Sequence, residues 1–141
     1  MDQPSCYDSI WKEILENLFE QFIQFFFPVA YEAIDWGKSY EFLDKEFQLL
    51  IDEEKISSRL VDKLVKVWLK TGKEVWVLIH IEVQSHYEPD FALRMYHYNS
   101  LIFQRFHREV ASLAILTDEN ENWKPSVFGY NLFGCQLQFV F

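Results

Sequence analysis

Residues 59 to 84 read RLVDKLVKVWLKTGKEVWVLIHIEVQ, and their pattern decides the fold class. The first twelve mix β-branched with charged residues, TGKE supplies a turn around Gly72, and Val75 to Gln84 is almost wholly apolar. The pattern predicts two strands joined as an antiparallel hairpin and buried on at least one side. Along a strand, residues two apart share a face, which groups Trp76, Leu78, His80, Glu82 and Gln84 against Val75, Val77, Ile79, Ile81 and Val83. Glu82 and Gln84 are therefore neighbours at the end of an apolar element that has no structural use for a carboxylate and an amide.

Upstream, residues 8 to 26 place Ile10, Ile14, Leu15, Leu18, Phe22, Phe25 and Phe26 at steps of three and four, which predicts a helix with Asp8 as its N-cap and Pro28 as its stop. The stretch AIDWGKSYEFLDKE is irregular, with Gly37 as a turn residue, and Glu46 to Asp52 reads as a short strand. Downstream, Asp90 caps a helix in which Phe91, Met95, Tyr98, Ile102 and Phe106 fall on one side. Glu109 to Thr117 reads as another buried strand, and alternation in GCQLQFVF marks a last one. The expected architecture is α/β (α+β), a central mixed sheet flanked by helices.

The chain has 141 residues, half of them hydrophobic, which fits one domain over 1–141 with a core large enough to fold without staples. Its apolar end at Phe139, Val140 and Phe141 reads either as a buried last strand or as a sequence cut short. Cys6 and Cys135 form no spacing pattern, so neither a disulfide framework nor a zinc cluster is indicated, and a reducing cytoplasm is the natural setting. The acidic start argues against a secretory signal, and no apolar run approaches the roughly 20 residues of a spanning helix, so a soluble protein with no membrane partner is expected.

A net charge of -9 argues against nucleic acid as a partner, but the charge is unevenly spread. Residues 1–54 hold 3 cations against 13 acids, whereas residues 55–108 hold 9 cations against 5 acids. That middle segment is either an ordinary solvated surface or a face for phosphate.

Burying Glu82 without a partner would cost on the order of several kcal/mol, so it needs a cation, a metal or the open end of the sheet. Asp62 is the natural companion, because antiparallel pairing across the Gly72 turn brings it near Glu82 or Gln84. Two such carboxylates repel unless a divalent ion lies between them, and Mg²⁺ suits an all-oxygen set of Asp62, Glu82, the Val83 backbone carbonyl and waters. From the pattern alone the plainer alternative carries more weight: ion pairs of Asp62 and Glu82 with Lys63, Lys66 or Arg94.

The runs YDSIWKEIL, FLDKEFQ, RLVDKLVKVWLKTGKEVWVLIHIEVQ, DFALRMYHYNSLIFQRF, VASLAILTD and GCQLQF together resemble the recombination-promoting nuclease and putative transposase family, a branch of the PD-(D/E)XK nuclease superfamily. The resemblance covers almost the whole chain. It implies a restriction-endonuclease-like core and Mg²⁺-dependent hydrolysis of DNA phosphodiesters, with Mn²⁺ as a substitute ion. Asp62 is then the metal-binding aspartate of the second core strand, Glu82 the metal-binding acid of the third, and Gln84 stands where the superfamily has lysine. Val61 replaces the proline that commonly precedes the aspartate. The loss of lysine matters more, since Gln84 can only donate and accept hydrogen bonds. Glu16, Glu20 and Glu46 are the candidates for a further glutamate. Lys63, Lys66, Arg94 and Arg105 are the expected DNA contacts, with a homodimer as one way of gathering two such faces.

Other patterns are weaker. His80 and Glu82 form the H-x-E of zinc deaminases, but the downstream P-C-x-x-C is missing, which leaves His80 as a packed strand residue. The Phe25 to Phe27 run reads as core or interface. Two functional readings follow: a metal-dependent DNA endonuclease linked to recombination or transposition, and a non-catalytic DNA- or protein-binding module that keeps the nuclease fold.

Overall fold

A computed structural model describes residues 6–54, 61–82, 89–116 and 125–141. At its centre the two expected strands, β2 (Val61–Trp68) and β3 (Glu74–Glu82), pair antiparallel from Val61 opposite Ile81 to Trp68 opposite Glu74. Gly72 in the connecting turn has φ +88°, a left-handed conformation that costs glycine nothing. A short strand, β1 (Glu41–Phe42), pairs antiparallel with β2, and β4 (Val110–Leu116) pairs parallel with β3, which gives the order β1-β2-β3-β4. A parallel neighbour requires a crossover, and α5 (Phe91–Phe106) lies between β3 and β4 in the chain. Asp90 stands at its N-cap position without a side-chain capping bond, and His107 closes the helix in the left-handed region at φ +52°.

Helices cover both faces of this mixed sheet. The odd-numbered row Val65, Val67, Val77 and Ile79 packs with Leu15 of α1 (Cys6–Asn17), with Phe19, Phe22 and Ile23 of α2 (Phe19–Phe26), and with Ile34. The even-numbered row Leu64, Trp76 and Leu78 packs with Phe47, Leu50 and Ile51 of α4 (Asp44–Glu53) and with Tyr98 and Ile102 of α5. Each fully buried Leu, Ile or Phe in these layers contributes about 1.5–3 kcal/mol relative to exposure. The mixed sheet between helices is the architecture the sequence predicts.

Several local expectations are corrected. The single helix over 8–26 is broken at Leu18, whose φ of -129° is not helical, so that α1 and α2 each turn an apolar side to the sheet. Asp8 lies inside α1 rather than ahead of it. Pro28 does more than stop a helix, since it opens α3 (Pro28–Ala33) at a position where its missing N–H is harmless. The strand expected at 46–52 is helix α4, in which Phe47, Leu50 and Ile51 recur at helical steps. The last strand, β6 (Cys135–Val140), pairs with β5 (Val127–Leu132) in a separate two-stranded sheet, not with the central one. Aromatic packing accounts for this: Phe128 and Phe139 lie 5.2 and 5.6 Å from the ring of Tyr96 on α5, and Phe141 lies 5.7 Å from Phe91.

Candidate functional site at the sheet rim

The hairpin register brings the two acid positions together. Asp62 is the partner of His80, and Glu82 is two residues further along β3, where it pairs with Leu116 of β4. Directly opposed residues share a face, so positions 62, 80 and 82 continue the row of Leu64 and Leu78, on the side of α4 and α5. Positions 62 and 82 are then diagonal neighbours, about 7–8 Å apart in a regular antiparallel pair. Val83 and Gln84 lie outside the described residues. Among the described side chains, no trio of His, Cys, Asp or Glu gathers as a metal-holding group.

The start of α5 lies at the same end of the sheet. Phe91 and Met95 pack with Ala114 and Leu116, and Leu116 is the register partner of Glu82. A helix N-terminus carries partial positive charge, which favours an anion beside its first turn. Arg94 occupies that turn, with its guanidinium carbon 5.6 Å from the Phe91 ring centre and its Nε and Nη2 buried.

The remaining cations expected at DNA are differently placed. Lys63 is only 5% exposed, and its Nζ donates to Glu16 Oε1 and Asp44 Oδ2, both at 2.7 Å, with the Phe42 ring 5.4 Å away. Burial by itself would lower its pKa, but the hydrogen bonds to Asp44 and Glu16 prevail and hold it above the ordinary lysine value. Its ammonium ties β2 to α1 and to the first residue of α4 instead of facing solvent. Lys66 is paired with Glu41 at 3.0 Å, and that hydrogen bond raises it as well. Arg105 is paired with Glu53 at 3.1 Å, eleven residues beyond Arg94 and so about 16 Å along α5 from it. Of the four expected contacts, only Arg94 stands at the rim.

The glutamate candidates also separate. Glu16 is engaged by Lys63, Glu20 sits half-buried in the first turn of α2, and Glu46 is exposed on α4. Asp44 was not singled out from sequence, although it shares Lys63 with Glu16. Nothing local signals that contact, because Lys63 is 19 residues from Asp44 and 47 from Glu16.

A family model described as "Putative transposase, YhgA-like" matches residues 7–116, a span that reaches from α1 to β4 and leaves the β5–β6 hairpin outside. No curated protein and no solved structure matches the chain.

Proposed function

The chain belongs to the YhgA-like putative transposase family, and from that premise we propose that its transposition-related role is exerted as a divalent-metal-dependent DNA endonuclease, with Asp62 and Glu82 as the acids that hold the ion. The observation that carries the reading is the register of Asp62 with His80, which puts both acid positions in one row at one end of the sheet. The donor set suits a hard cation: two carboxylates, with the Val83 carbonyl next in line, are oxygen ligands of the kind Mg²⁺ or Mn²⁺ takes. When bound, such an ion supplies Lewis-acid stabilisation of a phosphate and acidification of a water.

The protein's own groups do the positioning. The β2–β3 ladder keeps position 62 opposite position 80, two residues from position 82, on adjacent strands. Gln84 orients the attacking water through its amide but accepts no proton from it, which distinguishes this site from one with lysine there. The first turn of α5, where backbone N–H groups carry partial positive charge, offers the potential against which a DNA phosphate settles.

The test is nicking of supercoiled plasmid by purified protein with Mg²⁺ and with chelator. The wild type is expected to convert plasmid to open circles only with Mg²⁺, and Asp62→Ala and Glu82→Ala are expected to be inert while melting like the wild type. Cleavage by Asp62→Ala at the wild-type rate would remove this site from the mechanism.

A second reading draws on a different observation. Lys63, Lys66 and Arg105, three of the four cations expected at DNA, are each paired with an acid of the chain, which makes them less available to a nucleic acid. A non-catalytic binding module would bind DNA or a protein partner and cleave nothing under any divalent ion.

A further inference from the structure

Strand β2 is supported unequally along its outer side. Beside Val65 and Lys66 it has β1 as a neighbour, and the Leu43 N–H donates to the Leu64 carbonyl at 2.7 Å. Among the described residues that is the last backbone bond on this side toward the rim, because the chain turns into α4 at Asp44. Alternate residues of an antiparallel ladder direct their backbone groups to opposite sides. Position 62, like Leu64, therefore turns its N–H and C=O away from β3, to the side where β1 has ended.

The residue next to it makes the connections that β1 does not. Lys63 Nζ donates to Glu16 of α1 and to Asp44 of α4, both at 2.7 Å, and lies 5.4 Å from the ring of Phe42, the last residue of β1. One ammonium thus joins β2 to three elements. Asp44 Oδ1 is buried without a hydrogen-bond partner, so among the described residues the bond from Lys63 to Oδ2 is what anchors that carboxylate.

We infer that Lys63 is a positioning residue for Asp62: it ties β2 to α1 and α4 one residue from the acid, in place of the missing strand, and so holds the Asp62 backbone where the ion is bound. This role presupposes Asp62 and Glu82 as ligands of the ion, the reading proposed above. Lys63 itself touches neither ion nor substrate and acts through the backbone.

Charge gives the role a sign. Lys63→Met removes a positive charge one residue from Asp62 and releases two carboxylates, so by electrostatics alone the variant would attract a divalent cation more strongly. Loss of position acts the other way. Residues that support metal ligands typically carry about 10–100-fold of affinity, and a support acting through the backbone belongs at the lower end.

The experiment is titration of the full chain with Mn²⁺, the free ion being counted by electron paramagnetic resonance, with Asp62→Ala as the baseline for binding elsewhere. Lys63→Met is expected to bind about tenfold more weakly than the wild type. Lys63→Gln, which keeps a donor for one acid, is expected to fall between them. Val67→Ala opens a cavity at a buried position near the other end of β2 and is expected to keep wild-type affinity, which separates positioning from a general loss of stability. In metal-free Lys63→Met, the amides of residues 61–63 are expected to exchange faster and those of residues 65–67 at the wild-type rate. Affinity in Lys63→Met equal to or above that of the wild type overturns the inference and leaves the metal site standing. So does a Val67→Ala protein weakened as much as Lys63→Met, or unchanged exchange at residues 61–63. A wild type that binds no more Mn²⁺ than Asp62→Ala overturns both.

Discussion

Replacing Lys63 by methionine isolates the value of a buried cation held by two acids. Methionine keeps the length of the apolar stem and removes the ammonium, and with it two charge-assisted hydrogen bonds of 2.7 Å. Such bonds contribute about 1.5–3 kcal/mol each. Against them stands the desolvation of an ammonium that is only 6% exposed, a penalty of several kcal/mol by general estimate. The freed Glu16 and Asp44 side chains are 53% and 46% exposed and can rehydrate. The terms largely cancel, so Lys63→Met is expected to cost only about 1–2 kcal/mol. Converting both acids instead, Glu16→Gln with Asp44→Asn, leaves the ammonium buried with neutral partners and is expected to cost about 3 kcal/mol or more. Urea unfolding of the three proteins at pH 7 gives the order directly. A pH series adds the sign. The folded pKa lies above the ordinary 10.5, so the stabilisation is intact below that value and fades as pH climbs through the folded one. The advantage of wild type over Lys63→Met should therefore hold from neutral pH to about 10 and shrink beyond it. Lys63→Met more damaging than the double carboxylate variant, or an advantage that disappears well below pH 10, would refute the reasoning.

Three further perturbations read the frame around the site. Leu78→Ala empties a fully buried position in the central strand and should lower stability by about 3 kcal/mol in denaturant titration, whereas a loss under 1 kcal/mol would mean the α4–α5 layer collapses freely into the gap. Gly72→Ala meets no atom within 4 Å, so only the left-handed backbone is penalised, and a drop of about 1–2 kcal/mol is expected; a neutral result would place that turn in another conformation. Asn99 donates through one amide nitrogen to the Val110 carbonyl at 2.9 Å and to Ser112 Oγ at 3.0 Å. Asn99→Ala should therefore cost about 1–2 kcal/mol and speed amide exchange along β4, and unchanged exchange there would deny that this side chain clamps α5 to the sheet.

The parts legible in the sequence are those whose cause is local. The β2–β3 hairpin is written in β-branched residues on either side of a glycine that the turn requires, and α5 in apolar residues at helical steps. Phe47, Leu50 and Ile51 carry the same helical signal, but over so short a run that EFQLLID also passes for a strand. The break at Leu18 has no proline or glycine to announce it, because it is set by how two helices share one sheet face. Strand β5 has no reading in the sequence, and Gly129 lies within it: a Cβ at that position would come within 2.5 Å of the Leu137 carbonyl oxygen, so the glycine is what lets β5 and β6 approach. At the site, the pairing of Asp62 near Glu82 follows from hairpin arithmetic. The capture of Lys63 by Glu16 and Asp44 does not, since it depends on where two distant helices dock.

The most direct measurement is the anomalous difference map of a crystal soaked in Mn²⁺. Our account predicts one strong peak at the sheet rim, at coordination distance from carboxylate oxygens of both Asp62 and Glu82. A map without that peak, in which each carboxylate instead pairs with a lysine or arginine of its own, would contradict it.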